Sequence, residues 1–141
     1  MIWILNGPNL NLLGVREPEV YGRGALQDLE AQCEGWAAEV GETARCFQSN
    51  YEGQLIDWLH QATQGASGVV LNAGGLTHTS VALRDAVAGI LTPVVEVHLS
   101  NVHSREPFRH HSFLSAVCVG TVSGLGIYSY EAAIRFLARE R

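Results

Sequence analysis

The sequence predicts an α/β fold built on a doubly wound parallel sheet of five strands, with helices on both faces. Three observations carry this expectation. Short apolar runs alternate along the chain with segments of helical periodicity. The runs lack the in–out polar alternation of half-exposed strands, as expected for strands covered on both faces. Strands joined through helices require right-handed crossovers, which wind such a sheet outward in both directions. The chain has 141 residues, the usual size of one domain, and residues 1–141 are read as a single unit. A chain of this length buries roughly two-thirds of its unfolded surface and needs no disulfide or metal to fold.

The elements follow in order. Residues 1–5 (MIWIL) run into Asn6-Gly7-Pro8-Asn9 and read as a buried strand entering a loop. From Ala25 to Val40, the positions Leu26, Leu29, Cys33, Trp36, Ala37 and Val40 share one helical face, and Gly41 ends the helix. Residues 43–48 read as a second strand, and residues 52–63 as a helix with Leu55, Ile56 and Leu59 inward. Residues 68–72 (GVVLN) form a third strand, followed by a helix from Thr79 to Ala88. Pro93 opens a fourth strand (PVVEVH), residues 115–120 (SAVCVG) read as a fifth, and 129–139 as a last helix. The arrangement is flavodoxin-like, and no repeat, low-complexity tract or linker interrupts it.

Composition narrows the function. The net charge is −5 and no basic stretch is long enough to track a phosphate backbone, which excludes nucleic acid as an expected partner. No apolar run reaches the roughly 18 residues of a membrane span, and residues 1–5 lack the basic flank of a signal peptide. Cys33, Cys46 and Cys118 form no C-x-x-C pair and are expected to be three buried thiols in a reducing cytoplasm. All nine basic residues are arginines, so no side chain can form a lysine imine with a carbonyl substrate.

In doubly wound sheets, ligands bind beyond the carboxyl ends of the strands where strand order reverses. Polar residues concentrate there. Strand one ends in Asn6-Gly7-Pro8-Asn9, strand three in Asn72-Ala73-Gly74-Gly75 with Thr77-His78-Thr79 beyond. Strand four carries Glu96 and His98, then Leu99-Ser100-Asn101 and a loop with His103, Arg105 and Arg109. The loop after strand one runs about 19 residues, too long for a plain connection, and holds Arg16 and Tyr21. Such a loop is either a lid or a packed surface segment. A tyrosine is a weak base at neutral pH unless a guanidinium favours its phenolate, and Arg16 or Arg105 could supply one. Glu96 points to the same side as His98, two residues on. A carboxylate bonded to one ring nitrogen would fix the tautomer and favour the imidazolium, making His98 a plausible general acid.

Several motifs are missing. The histidines 98, 103, 110 and 111 match no zinc spacing, so no metal is expected. No G-x-G-x-x-G or G-x-x-x-x-G-K-[ST] follows strand one, and Gly124-Leu125-Gly126 is incomplete and late. There is no G-x-S-x-G elbow.

Together these loops resemble one family. Asn6-Gly7-Pro8-Asn9-Leu10-Asn11-Leu12-Leu13-Gly14, Arg16-Glu17-Pro18 and Tyr21-Gly22 are similar to the opening signature of type II 3-dehydroquinate dehydratases. So are Gln48-Ser49-Asn50 with Glu52-Gly53, Leu71 to Ser80, Leu83-Arg84-Asp85, Glu96 to His103, Arg105-Glu106 and Phe108 to Ser112. The motifs are several, ordered, and spread over nearly the whole chain.

The resemblance implies anti elimination of water from 3-dehydroquinate to give 3-dehydroshikimate through an enolate, without a cofactor. It implies Tyr21 as proton acceptor, His98 as proton donor and Arg16 as transition-state stabiliser, with Asn9 supporting the enolate through an ordered water. Asn72, His78, Asp85, Leu99, Ser100 and Arg109 match substrate-holding positions. Arg105 matches a second lid residue, and Glu96 and Asn101 match supports. The family also implies a cytoplasmic homododecamer, a tetramer of trimers, acting in aromatic biosynthesis or quinate breakdown. Gly24-Ala25, Tyr51, Phe113 and Ser129 depart from the common pattern, at positions with no implied catalytic role.

Two other classes are weighed on the residues alone, and the residues count against both. A module that senses a small anion would need Arg109 and Asn72 but neither Tyr21 nor His98. A phosphate-binding hydrolase of this fold would need a glycine fingerprint or metal ligands, which are absent.

Overall fold

The computed structural model of the chain describes residues 1–15 and 24–139. Arg16 and Tyr21 therefore lie outside the described residues. The strands are β1 (Ile2–Asn6), β2 (Ala44–Gln48), β3 (Gly68–Asn72), β4 (Val94–His98) and β5 (Gly120–Ser123). The α-helices are α1 (Leu26–Glu39), α2 (Glu52–Gly65), α3 (Val81–Ala88) and α4 (Tyr128–Ala138). All strand pairs are parallel, in the order β2-β1-β3-β4-β5. This is the expected flavodoxin-like order, reversing direction between β1 and β3.

The two-residue period of the strands sorts side chains between two cores. Ile2, Ile4, Val70, Val95 and Val97 meet Leu29, Cys33, Trp36 and Ala37 of α1 and Tyr130, Ala133, Ile134 and Leu137 of α4. Trp3, Leu5, Val69, Leu71 and Val94 meet Leu55, Leu59 and Ala62 of α2 and Leu83, Ala86 and Val87 of α3. Each fully buried leucine or isoleucine contributes about 1.5–3 kcal/mol. Ser80 caps α3 by accepting from the Leu83 N–H and donates to Glu52 of α2, which ties the two helices together. Gly41, at φ 76°, ends α1 in a left-handed turn.

Two further glycines bring the loops after β1 and β3 together. A Cβ on Gly7 would stand 2.9 Å from the Ala73 carbonyl oxygen, and one on Gly74 would stand 3.0 Å from that of Pro8. Gly74 also has φ 60°, which side-chain-bearing residues rarely adopt.

The structure corrects three expectations. The fifth strand is Gly120–Ser123, not 115–120. Leu114, Val117 and Cys118 instead pack on the α2/α3 core, and both the Val117 and Cys118 N–H groups donate to the Leu114 carbonyl. Their i, i+3, i+4 spacing is that of a single helical turn, and an apolar run of this length does not distinguish turn from strand. The third helix starts at Val81 because a 3₁₀ turn, Gly74–His78, precedes it. Of the three thiols, only Cys33 is fully buried; Cys46 and Cys118 are half-buried. Among the described residues, no helix is long and apolar enough to cross a membrane.

Candidate active site

A cavity opens where β1, β3 and β4 end. Asn9, Asn72, His78, His98, Leu99, Ser100, Arg105 and Arg109 all line it. Three strand ends thus deliver most of the residues singled out in the sequence to one place. Glu96, buried, and Asn101, exposed, are not part of the lining. Asp85 lies outside the cavity, with its exposed carboxylate 2.9 Å from the guanidinium of Arg84.

His98 is set by its strand partner. Its Nε2–H donates to Glu96 Oε2 at 2.6 Å. An ionised carboxylate only accepts, so the proton on that nitrogen is fixed and Nδ1 is left as the other ring nitrogen of this cavity-lining residue. Glu96 is 2% exposed and, among the described residues, takes three side-chain donors. Besides His98, the Ser112 hydroxyl lies 3.0 Å from both carboxylate oxygens and Ser115 donates to Oε1 at 2.7 Å. Burial works to raise the Glu96 carboxyl, but the bonds from His98, Ser115 and Ser112 outweigh it and hold the group below its ordinary value. The anion is therefore stable at neutral pH and keeps His98 oriented.

Ser112 and Ser115 carried no role in the sequence reading. Ser112 sits inside a recognisable motif, and it also accepts the Leu114 and Ser115 N–H groups at 3.0 and 3.1 Å. Ser112→Ala should weaken the hold on Glu96. A carboxylate with a depressed pKa adds stability above the ordinary value of 4.5, and that stability is lost as pH falls through the folded value. With less depression, the acid-unfolding midpoint should rise and stability at pH 7 should drop by about 1–3 kcal/mol. Thermal melts across acid pH check this; an unchanged acid limb refutes the assignment.

His78 plays a different part. Its Nδ1–H donates to the His111 carbonyl at 2.7 Å, which leaves Nε2 as an acceptor in the neutral ring. Burial lowers its pKa against the pull of that bond, and the nearby His98 and Arg109 lower it further. Its ring stacks on that of His98 with centroids 6.1 Å apart.

Two guanidiniums face the same space. Arg109 Nε bonds Glu106 at 2.8 Å, and Arg105 donates to the Ser100 hydroxyl at 3.2 Å while standing 3.8 Å from the same Glu106 oxygen. Among the described residues, one carboxylate thus stands against two arginines, an arrangement suited to an anion. Asn101 shapes this loop: its side chain accepts the His103 N–H at 3.1 Å and caps the 3₁₀ turn Val102–Ser104.

Asn9 is the one non-glycine residue with positive φ among the described residues, at 72°. Asparagine tolerates this region better than most. Its N–H donates to Asn50 Oδ1 at 2.9 Å, and Gln48 donates to the same oxygen and to the Gly7 carbonyl. Gln48 and Asn50, from the end of β2, are supports that the sequence reading matched to a motif without a role. Among the described residues, no group of three or more His, Cys, Asp or Glu side chains could hold a metal ion.

Comparison with known proteins gives a consistent result. The model of the family described as dehydroquinase class II matches residues 1–138. A 3-dehydroquinate dehydratase of Deinococcus radiodurans is 59% identical over 139 residues, covering 98% of this chain and 97% of the relative. A catabolic 3-dehydroquinase of Neosartorya fischeri is 50% identical over 137 residues, covering 97% and 91%. The crystal structure of a type II dehydroquinase from Butyrivibrio crossotus superposes with a TM-score of 0.95 at 41% identity, covering 98% of this chain and 97% of that one.

Proposed function

The chain belongs to the dehydroquinase class II family and is a 3-dehydroquinate dehydratase; from that premise we propose how its residues eliminate water. Tyr21, as phenolate, takes the proton from the carbon next to the substrate ketone. The electron pair moves onto the ketone oxygen as an enolate, and Asn9 supports that charge through an ordered water. The enolate then reforms the carbonyl and expels the hydroxyl on the neighbouring carbon as His98 delivers a proton from Nδ1. Water leaves, an enone remains, and the enzyme resets as Tyr21 gives up the proton it took and His98 regains one, both through solvent.

Arg16 and Arg105 favour the phenolate and the developing negative charge. Arg109, Asn72, His78, Leu99 and Ser100 hold the substrate carboxylate and hydroxyls. The chemistry needs no cofactor, because fixed donors and cations act where charge develops. One observation carries this reading. His98 is clamped through one nitrogen by a buried carboxylate, and it lines the same cavity as Arg105, Arg109 and the neutral polar side chains of Asn9, Asn72 and Ser100.

The same reading extends to the assembly. Asp85 lies outside its own chain's cavity, so it can hold substrate only at a neighbouring copy's site, which fits the proposed dodecamer of four trimers. Light scattering of the purified protein reads that mass directly, and a monomer would refute it. The three free thiols agree with a reducing cytoplasm. The step serves the shikimate route to aromatic amino acids or quinate breakdown.

Purified protein stripped of metal should convert 3-dehydroquinate to an ultraviolet-absorbing enone. Folded protein that produces no absorbance would remove the basis of the mechanism.

A further inference from the structure

Behind the cavity, on the face of the sheet opposite Glu96, lies a buried polar chain of which the mechanism above uses only Asn72. Asn6 and Asn72 are register partners at the ends of β1 and β3. Both point toward α4, where Tyr130 is fully buried. The Tyr130 hydroxyl donates to Asn6 Oδ1 at 2.6 Å and accepts from Asn72 Nδ2 at 2.8 Å. Asn72 Oδ1 in turn accepts the Gly74 N–H at 3.2 Å.

The directions of these bonds are not interchangeable. The Gly74 N–H is a donor that cannot turn round, so it demands the oxygen of the Asn72 amide. The nitrogen must then face Tyr130, whose oxygen accepts it and whose hydrogen goes on to Asn6. Were Asn6 rotated, two amide nitrogens would point at one phenol oxygen and the phenol hydrogen would lack an acceptor. The orientation shown leaves Asn6 Nδ2 buried with no partner among the described residues, a real desolvation cost. Complete burial pushes the Tyr130 phenol up, which keeps it protonated and able to play both parts.

The amide of Asn72 is thus held at two points. Its nitrogen carries a second hydrogen with no partner among the described residues, and Asn72 lines the cavity. We propose that Tyr130, acting from outside the cavity, is a positioning residue that locks the Asn72 amide so that its remaining N–H is offered to an oxygen of the bound substrate. A donor fixed before binding costs no rotamer freedom when the substrate arrives. The role is one of ground-state binding and rests on the dehydratase reading of the site.

Tyr130→Phe keeps the ring and removes only the hydroxyl. It should raise KM for 3-dehydroquinate about tenfold, the worth of one well-placed hydrogen bond, and leave kcat within about threefold. The same change in an Asn72→Ala background should raise KM no further, since nothing remains to be oriented. In wild-type protein the Asn72 side-chain amide protons should give two distinct, slowly exchanging NMR signals that collapse or broaden in Tyr130→Phe. Should that variant fail to fold, Asn6→Ala frees the phenol hydrogen and should raise KM about two- to fivefold. An unchanged KM in an active variant, or an equal KM rise in the Asn72→Ala background, overturns the proposal. Wild-type protein that does not turn over 3-dehydroquinate sinks the dehydratase reading instead, while the NMR arm still reports on Asn72.

Discussion

Tyr21→Phe should lower kcat about a thousandfold while leaving affinity for substrate within a few-fold. The change removes a single oxygen. Phenylalanine keeps the aromatic ring, but it cannot accept the carbon proton. A positioned general base contributes typically 10²–10⁴ in rate. Turnover and binding should therefore separate: calorimetry with 3-dehydroquinate should still show heat of binding, while the progress curve is nearly flat. Wild-type turnover in this variant would mean that another group is the base. The rate of the native enzyme should also fall as pH drops, because the base must be the phenolate. Arg16 shares the loop in sequence and Arg105 lines the cavity. Tyr21→Phe should lose that acid fall along with its activity.

His98→Gln should cost a comparable factor, about 10²–10⁴ in kcat. Glutamine is chosen because its amide N–H can still donate to Glu96. A smaller residue would leave a buried carboxylate with one donor fewer, and the loss of activity would mix with a loss of stability. The variant therefore keeps the neighbourhood and removes the transferable proton. Proton removal from carbon can still proceed, since Tyr21 is untouched. Exchange of the substrate's acidic hydrogen with solvent should thus outpace water loss, and deuterium incorporation into unreacted 3-dehydroquinate measures this. Turnover at the wild-type rate would show that the departing hydroxyl receives its proton elsewhere.

The sequence disclosed these features unevenly, for physical reasons. Strands β1 to β4 were legible to within one or two residues because parallel strands covered on both sides read as continuous apolar runs. The fifth was misplaced because Leu114, Val117 and Cys118 form an apolar helical turn of strand-like composition. The pairing of Glu96 with His98 followed from the two-residue period alone, and the structure holds them at 2.6 Å. Ser112 and Ser115 escaped notice because they reach Glu96 from 16 and 19 residues away. Tyr130 escaped because a tyrosine on the inner face of an amphipathic helix reads as core, and its partner Asn6 is 124 residues distant. The identities of base and substrate came from family resemblance; spacing alone led only to acid–base chemistry on a small anion.

The central claim is a cofactor-free anti elimination with base and acid on opposite faces of the substrate. It is tested by 3-dehydroquinate carrying deuterium at the reacting carbon, on the face opposite the departing hydroxyl. Metal-free enzyme should release 3-dehydroshikimate from which that deuterium has been lost, read by mass spectrometry. Product that retains the deuterium and has lost the hydrogen on the hydroxyl's own face would contradict the account.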